Sequence, residues 1–338
     1  MSTRLTRYDE HFVHQLPEPL SVVGIENQHW RESYFFVTHG PEADSDVLVL
    51  AMATYPARGH LDALVMGRID GEQLFAYHQR PAAGDPHTST VGPLSVTIEE
   101  PFERVRVVAD DTGGQAGGTG LDLTFTARTR AYGLRRGRML ADDGALLWDQ
   151  SHMIQSGRFE GTYSRGGTTR SVDGWLGQRD HSWGVRDHGR VPFWTWLAVQ
   201  LDDGMLGVWH WELANGARIF TDGCWAPAGG GEPVPVVDFH HDLHWVGADR
   251  TPVDYGADGA AVDGLSGTVR FRLAGGDEVT LRGSGRWCVP YKPIYGGGQH
   301  LMAVEADDGR RGTAVYEVTG RHHHRFFPTP LPEAGVGL

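Results

Sequence analysis

Lysine is almost missing from this chain of 338 residues: Lys292 is the only one, and the other basic groups are arginines scattered through a sequence of net charge -13. Without a basic run to neutralise phosphates, nucleic acid is excluded as a partner, and the same deficit argues against anionic lipid surfaces. Cysteine is nearly as scarce. Cys224 and Cys288 are too few for a disulfide scaffold and form no CxxC pair, so both read as small buried hydrophobes. No window approaches the ~18 apolar residues of a membrane helix, and Met1 to Glu10 (MSTRLTRYDE) has no apolar stretch behind its arginines, so a cytoplasmic chain without a secretory signal or membrane span is expected. No glycine-rich phosphate cradle sits between a strand and a helix, and no GxSxG elbow occurs, which sets aside nucleotide-dependent and serine-hydrolase chemistry.

Helical periodicity is also hard to find. A short helix near Asp9 to Leu16 or within Asp142 to Met153 is the most that i, i+3, i+4 spacing supports. What is abundant is turn punctuation: 47 glycines and 18 prolines, with Asp-Gly and Asn-Gly steps between short apolar or alternating runs. Val47 to Met52, Leu94 to Ile98, Val105 to Val108 and Leu121 to Thr129 have strand lengths. Phe193 to Leu201 and Met205 to Glu212, joined at Asp202-Asp203-Gly204, predict a hairpin. The length suits two cores, and the glycine- and threonine-rich stretch ending near Gly174 suggests domains at 1–174 and 175–338. The expected fold class is all-β, with few short helices.

Chemistry concentrates in Trp175 to Gly189 (WLGQRDHSWGVRDHG), which holds two Asp-His pairs, two arginines and two tryptophans. A carboxylate beside an imidazole suits general acid or base work, whereas the structural alternative makes Asp180 a turn cap and Trp183 a core filler. Gln155-Ser156-Gly157-Arg158 through Glu160-Gly161, then Asp173-Gly174, Gly177 and Asp180-His181-Ser182-Trp183-Gly184, resembles in order and spacing the hydroxyneurosporene synthase (carotenoid 1,2-hydratase) and AttH-like family. The resemblance implies two lipocalin-like antiparallel β-barrel or sandwich domains in tandem. It also implies that Asp180 matches the aspartate that protonates an alkene in the carotenoid hydratases, which commonly carry asparagine where this chain has Ser182.

The expectation is therefore a cofactor-free enzyme with Asp180 as acid and His181 as its tuner. It would protonate a hydrophobic, alkene-bearing natural product to hydrate, cyclise or isomerise it. Trp183, Trp194, Trp196, Trp209 and Trp211 could stabilise a carbocation through their ring faces, and Tyr291 and Tyr295 lie in a Pro- and Gly-rich loop suited to a barrel mouth. A carrier of apolar ligands without catalysis, or a pericyclic catalyst working by shape, are the alternatives. A homo-oligomer is left open. His240, His241 and His244, with Asp238 and Asp242, invite a metal reading, but a solvated amphipathic strand explains them, so no metal is expected. His322, His323 and His324 read as an exposed strand end.

Overall fold

The computed structural model describes residues 4–14, 24–82, 89–187, 190, 193–213, 215–256, 261–290, 296–320 and 324–327, without the side chains of 287 and 288. Among the described residues twenty-one strands run in chain order: β1 (Trp30–His39), β2 (Val47–Tyr55), β3 (His60–Ile69), β4 (Glu72–Pro81), β5 (Thr90–Val91), β6 (Leu94–Glu100), β7 (Arg104–Ala109), β8 (Thr119–Ala127), β9 (Tyr132–Leu140), β10 (Leu146–Arg165), β11 (Thr168–Ser171) and β12 (Trp175–Arg186) form the first sheet. The second holds β13 (Phe193–Leu201), β14 (Gly204–Glu212), β15 (Arg218–Pro227), β16 (Val234–His241), β17 (His244–Val246), β18 (Gly264–Leu273), β19 (Glu278–Pro290), β20 (Gly296–Ala306) and β21 (Arg311–Gly320).

Both sheets are antiparallel and barrel-shaped. The first runs β4-β3-β2-β1-β12-β10-β8-β7-β6-β5, with β9 and β11 attached to β10; the second runs β16-β15-β14-β13-β21-β20-β19-β18-β17, and β16 also pairs β18. Each sheet turns one face inward, as period-2 alternation dictates. The first core gathers Tyr34, Phe36, Leu48, Leu50, Val107, Leu123, Phe125 and Phe159, and the second gathers Phe193, Leu197, Val208, Phe239, Phe271 and Tyr316.

The predicted hairpin is present, with Leu201 opposite Gly204. Helix is sparser than expected: among the described residues only 3-10 turns occur, one of them over Arg7–Glu10. The region from Leu146 to Met153 is strand, because its alternate residues Trp148, Gln150 and His152 belong to one buried face. Cys224 is free and buried.

The chain forms two compact units, Met1–Gly40 with Asp46–Asp187 and Pro41–Ser45 with His188–Leu338, so that β12 belongs to the first. The reason is the pairing of β12, which inserts between β1 and β10, Asp180 opposite both Phe35 and Ile154. Two glycines of the motif are required by this position. A Cβ on Gly177 would stand 2.2 Å from the Val37 carbonyl oxygen. Gly184 has φ +129, and a Cβ there would meet the Asp149 oxygen at 2.1 Å.

Candidate functional site

Because β12 is a strand, Asp180 and His181 point to opposite faces of the first sheet. The sequence places them side by side, and the fold separates them. On the face turned away from the core, the Asp180 Oδ2 lies 3.0 Å from Nε2 of His152 on β10, both side chains buried. Gln178 and Ser182 flank Asp180 on this face, and the Ser182 hydroxyl shares a 3.0 Å hydrogen bond with that of Ser33. His152 was missed by the sequence reading, which paired Asp180 with its chain neighbour. The signal was the i, i+2 spacing of Gln150 and His152, which puts both on one face of β10.

Arg179, His181 and Trp183 share the other face, toward the first core. Arg179 is fully buried; its guanidinium forms an ion pair with both carboxylate oxygens of Glu10, one at 2.7 Å, donates to Gln155 Oε1 at 3.0 Å and lies 5.0 Å from the Phe125 ring centre. Burial would raise Glu10, but the Arg179 charge outweighs it and holds the carboxyl below its ordinary value.

His181 donates from Nδ1 to the Asp9 carbonyl oxygen at 2.8 Å and presents Nε2 to Glu32 Oε1 at 3.0 Å. His14 meets the same Glu32 oxygen with Nδ1 at 2.5 Å and meets Asp9 Oδ1 with Nε2 at 3.0 Å. Trp183 stacks on His14 with ring centres 3.8 Å apart. Burial opposes ionisation of His14, yet the bonds to Glu32 and Asp9 prevail and raise it; the same bonds, with those of His181, lower Glu32 against its burial. The arrangement ties the segment from Arg7 to His14 to β1 and β12. Glu32 was legible as a charge at i, i+2, i+4 with Tyr34 and Phe36, whereas Asp9, Glu10 and His14 lie far from the motif in sequence.

In the second unit, Phe193, Thr195 and Leu197 alternate with Trp194 and Trp196, and it is Phe193 and Leu197 that enter the barrel core. Trp194, Trp196, Trp209 and Trp211 lie outside that core, buried on the sheet's other face, with Trp209 and Trp211 edge to face at 4.8 Å. Trp194 Nε1 donates to Glu317 Oε1 at 2.5 Å. Tyr291 and Tyr295 lie outside the described residues.

Of the histidines considered for a metal, His240 is exposed and pairs with Asp238 at 3.1 Å, and His244 is exposed. His241 alone turns inward, to Glu212 Oε1 at 2.9 Å. His210 Nε2 reaches the same oxygen at 3.1 Å, and His324, buried rather than exposed, reaches Oε2 at 3.1 Å while stacking on Phe193. Burial would raise Glu212, but hydrogen bonds from His210, His241 and His324 hold it far below the carboxylate range. His322 and His323 lie outside the described residues.

Several solved structures share the fold at low identity. A candidate AttH from Nitrosomonas europaea superposes with TM-score 0.61 at 14% identity, over 87% of this chain and 94% of its own. Kievitone hydratase from Nectria haematococca gives 0.53 at 12%, over 85% and 88%, and CghA with Sch210972 gives 0.54 at 12%, over 86% and 88%. These likenesses agree with the tandem lipocalin-like architecture that the motif implied. No curated protein is significantly similar to the chain in sequence. One sequence family does match, across residues 5–263, and the chain belongs to it: the Family of unknown function (DUF8625).

Proposed function

We propose that the protein is an enzyme of the hydratase or cyclase type, acting on a hydrophobic alkene-bearing substrate by proton transfer from Asp180 and His152. The observation that carries this reading is the 3.0 Å approach of Asp180 Oδ2 to His152 Nε2, both buried and on the same face. A buried carboxylate–imidazole pair can hold one proton between two heavy atoms and deliver it in a defined direction. The role of tuner, expected of His181, falls to His152, since only an imidazole on the same face can share Asp180's proton.

Delivery of that proton to one alkene carbon breaks the π bond and leaves a cation on the other. Water then adds to the cation and returns a proton to the pair, completing hydration, or an internal alkene closes a ring and a neighbouring C–H gives up the proton, completing cyclisation. No cofactor enters either balance. The indoles Trp194, Trp196, Trp209 and Trp211 give the second unit's buried face aromatic surface of the kind that packs against apolar polyenes. Kievitone hydratase, alike in fold, is by its name a hydratase, which supports the reaction class.

The test is turnover of apolar alkenes by Asp180→Asn, which keeps the shape and removes the transferable proton. A fall of at least ~10²-fold, with folding unchanged, is expected for a lost general acid. Full activity in this variant would discard the acid reading in favour of shape-directed ring closure, and one-to-one binding of polyenes with no turnover at all would make the protein a carrier.

A further inference from the structure

We propose that His14 Nδ1, His181 Nε2 and Glu32 Oε1 form a binding site for one divalent transition-metal ion of the zinc class, which fastens the Arg7–His14 segment to the first barrel. This goes beyond the proton-transfer reading and lies on the opposite face of β12 from Asp180. The three ligand atoms lie within 4.8 Å of one another. Two imidazoles and one carboxylate are a common donor set for such ions.

The outward ring nitrogens point to a cation. His181 Nδ1 faces the Asp9 carbonyl oxygen, which can only accept, and His14 Nε2 faces the Asp9 carboxylate. With those ends donating, the inward nitrogen of each ring is the one that can take either a proton shared with Glu32, which is what raises His14 in the ion-free chain, or a metal ion in that proton's place. Metal-binding histidines are held in this way, the far N–H fixed by a carboxylate or a backbone carbonyl. Here one residue, Asp9, supplies both acceptors.

The inward ends converge as well. Both rings approach the same oxygen of Glu32, while its Oε2 receives, among the described residues, the His14 backbone N–H at 3.2 Å. Two imidazolium ions would be better placed one on each oxygen, whereas a shared centre brings both rings to one point. The rings stand nearly perpendicular, at 74°, so their lone pairs cross and are not parallel. Zn–N and Zn–O bonds of about 2.0–2.1 Å put tetrahedral ligands about 3.3 Å apart. The observed 2.5 and 3.0 Å separations reach that spacing by side-chain shifts below about 1 Å.

The second cluster serves as the internal control, because its carboxylate is already occupied. The Phe326 N–H donates to His324 Nδ1 at 3.2 Å, so His324 Nε2 carries the proton and gives it to Glu212 Oε2. The Arg325 guanidinium stands 3.3 Å from Oε1.

The experiment uses the full chain, stripped with chelator and then titrated with Zn²⁺ and Co²⁺. One equivalent should bind, with the visible absorption of four- or five-coordinate Co²⁺ and a thermal midpoint raised by a few degrees. X-ray absorption of the zinc form should count two imidazoles. His181→Gln and His14→Gln, each first shown to be folded by its thermal unfolding curve, should weaken binding by ~10²-fold, while His241→Gln binds as the parent chain does. Failure of the parent chain to take up either ion, unchanged binding in His14→Gln, or loss in His241→Gln would each overturn the proposal.

Discussion

One strand, β12, carries two chemistries on its two faces, and they differ in how charge is compensated. Toward the core, Arg179 pairs with Glu10, His14 meets the carboxylates of Asp9 and Glu32, and His181 bridges the Asp9 backbone carbonyl and Glu32. On the other face, Asp180 meets His152, and Gln178, Ser182 and Ser33 share that face. A fully paired network holds structure, because removing any member strands a buried charge. A carboxylate–imidazole pair can pass a proton between its two members, which is what proton transfer requires.

The largest effect that sharpens this comparison is on stability. Arg179→Met leaves Glu10 buried without its cation and should cost about 3–5 kcal/mol in urea unfolding, most of it recovered by adding Glu10→Gln. A cost below about 1 kcal/mol would break the contrast between the faces. The next concerns acid. His39, whose register partner Leu176 puts it on the Asp180 face, is fully buried and lowered to about 4, chiefly by burial. Its unfolded form takes up a proton near pH 6.5, so stability present above that value is lost as pH falls from about 6.5 to about 4, by up to about 3 kcal/mol. Unfolding curves across that range should flatten in His39→Gln.

Smaller in energy is the separation of rate from stability. Asp180→Asn, at ~10²-fold in turnover, corresponds to about 2.7 kcal/mol of barrier, with a stability change under about 1 kcal/mol. His152→Gln should follow the same pattern, whereas His181→Gln should speed hydrogen exchange over residues 7–14. Equal loss of turnover in the two histidine variants would erase the division between faces. The smallest effect is expected from Trp183→Leu, which removes the stacking on His14 and should cost roughly 0.5–1.5 kcal/mol without altering turnover.

Much of the site was legible one residue at a time and little of it as pairs. Asp180, His181 and Trp183 stand out by composition, yet Asp180 works with His152, distant in sequence, and His181 with Asp9, Glu32 and His14. The i, i+2 spacing of the indoles puts them on one face of the β13–β14 hairpin, but alternation does not say which face turns inward, and the core took Phe193 and Leu197. His241 was weighed with His240 and His244, its neighbours along the chain, while its partners Glu212 and His210 come from β14.

By itself, the sequence determined the β class, the hairpin at Asp202-Asp203-Gly204 and the absence of a basic stripe, since these follow from turn chemistry, period-2 patterning and composition, all of which are local. Tertiary structure decided the boundary after Asp187, the partners of Asp180 and the convergence of His14, Glu32 and His181. Each of these depends on which strands lie side by side, and that is set by the register of β12 between β1 and β10, a long-range pairing that no local pattern encodes.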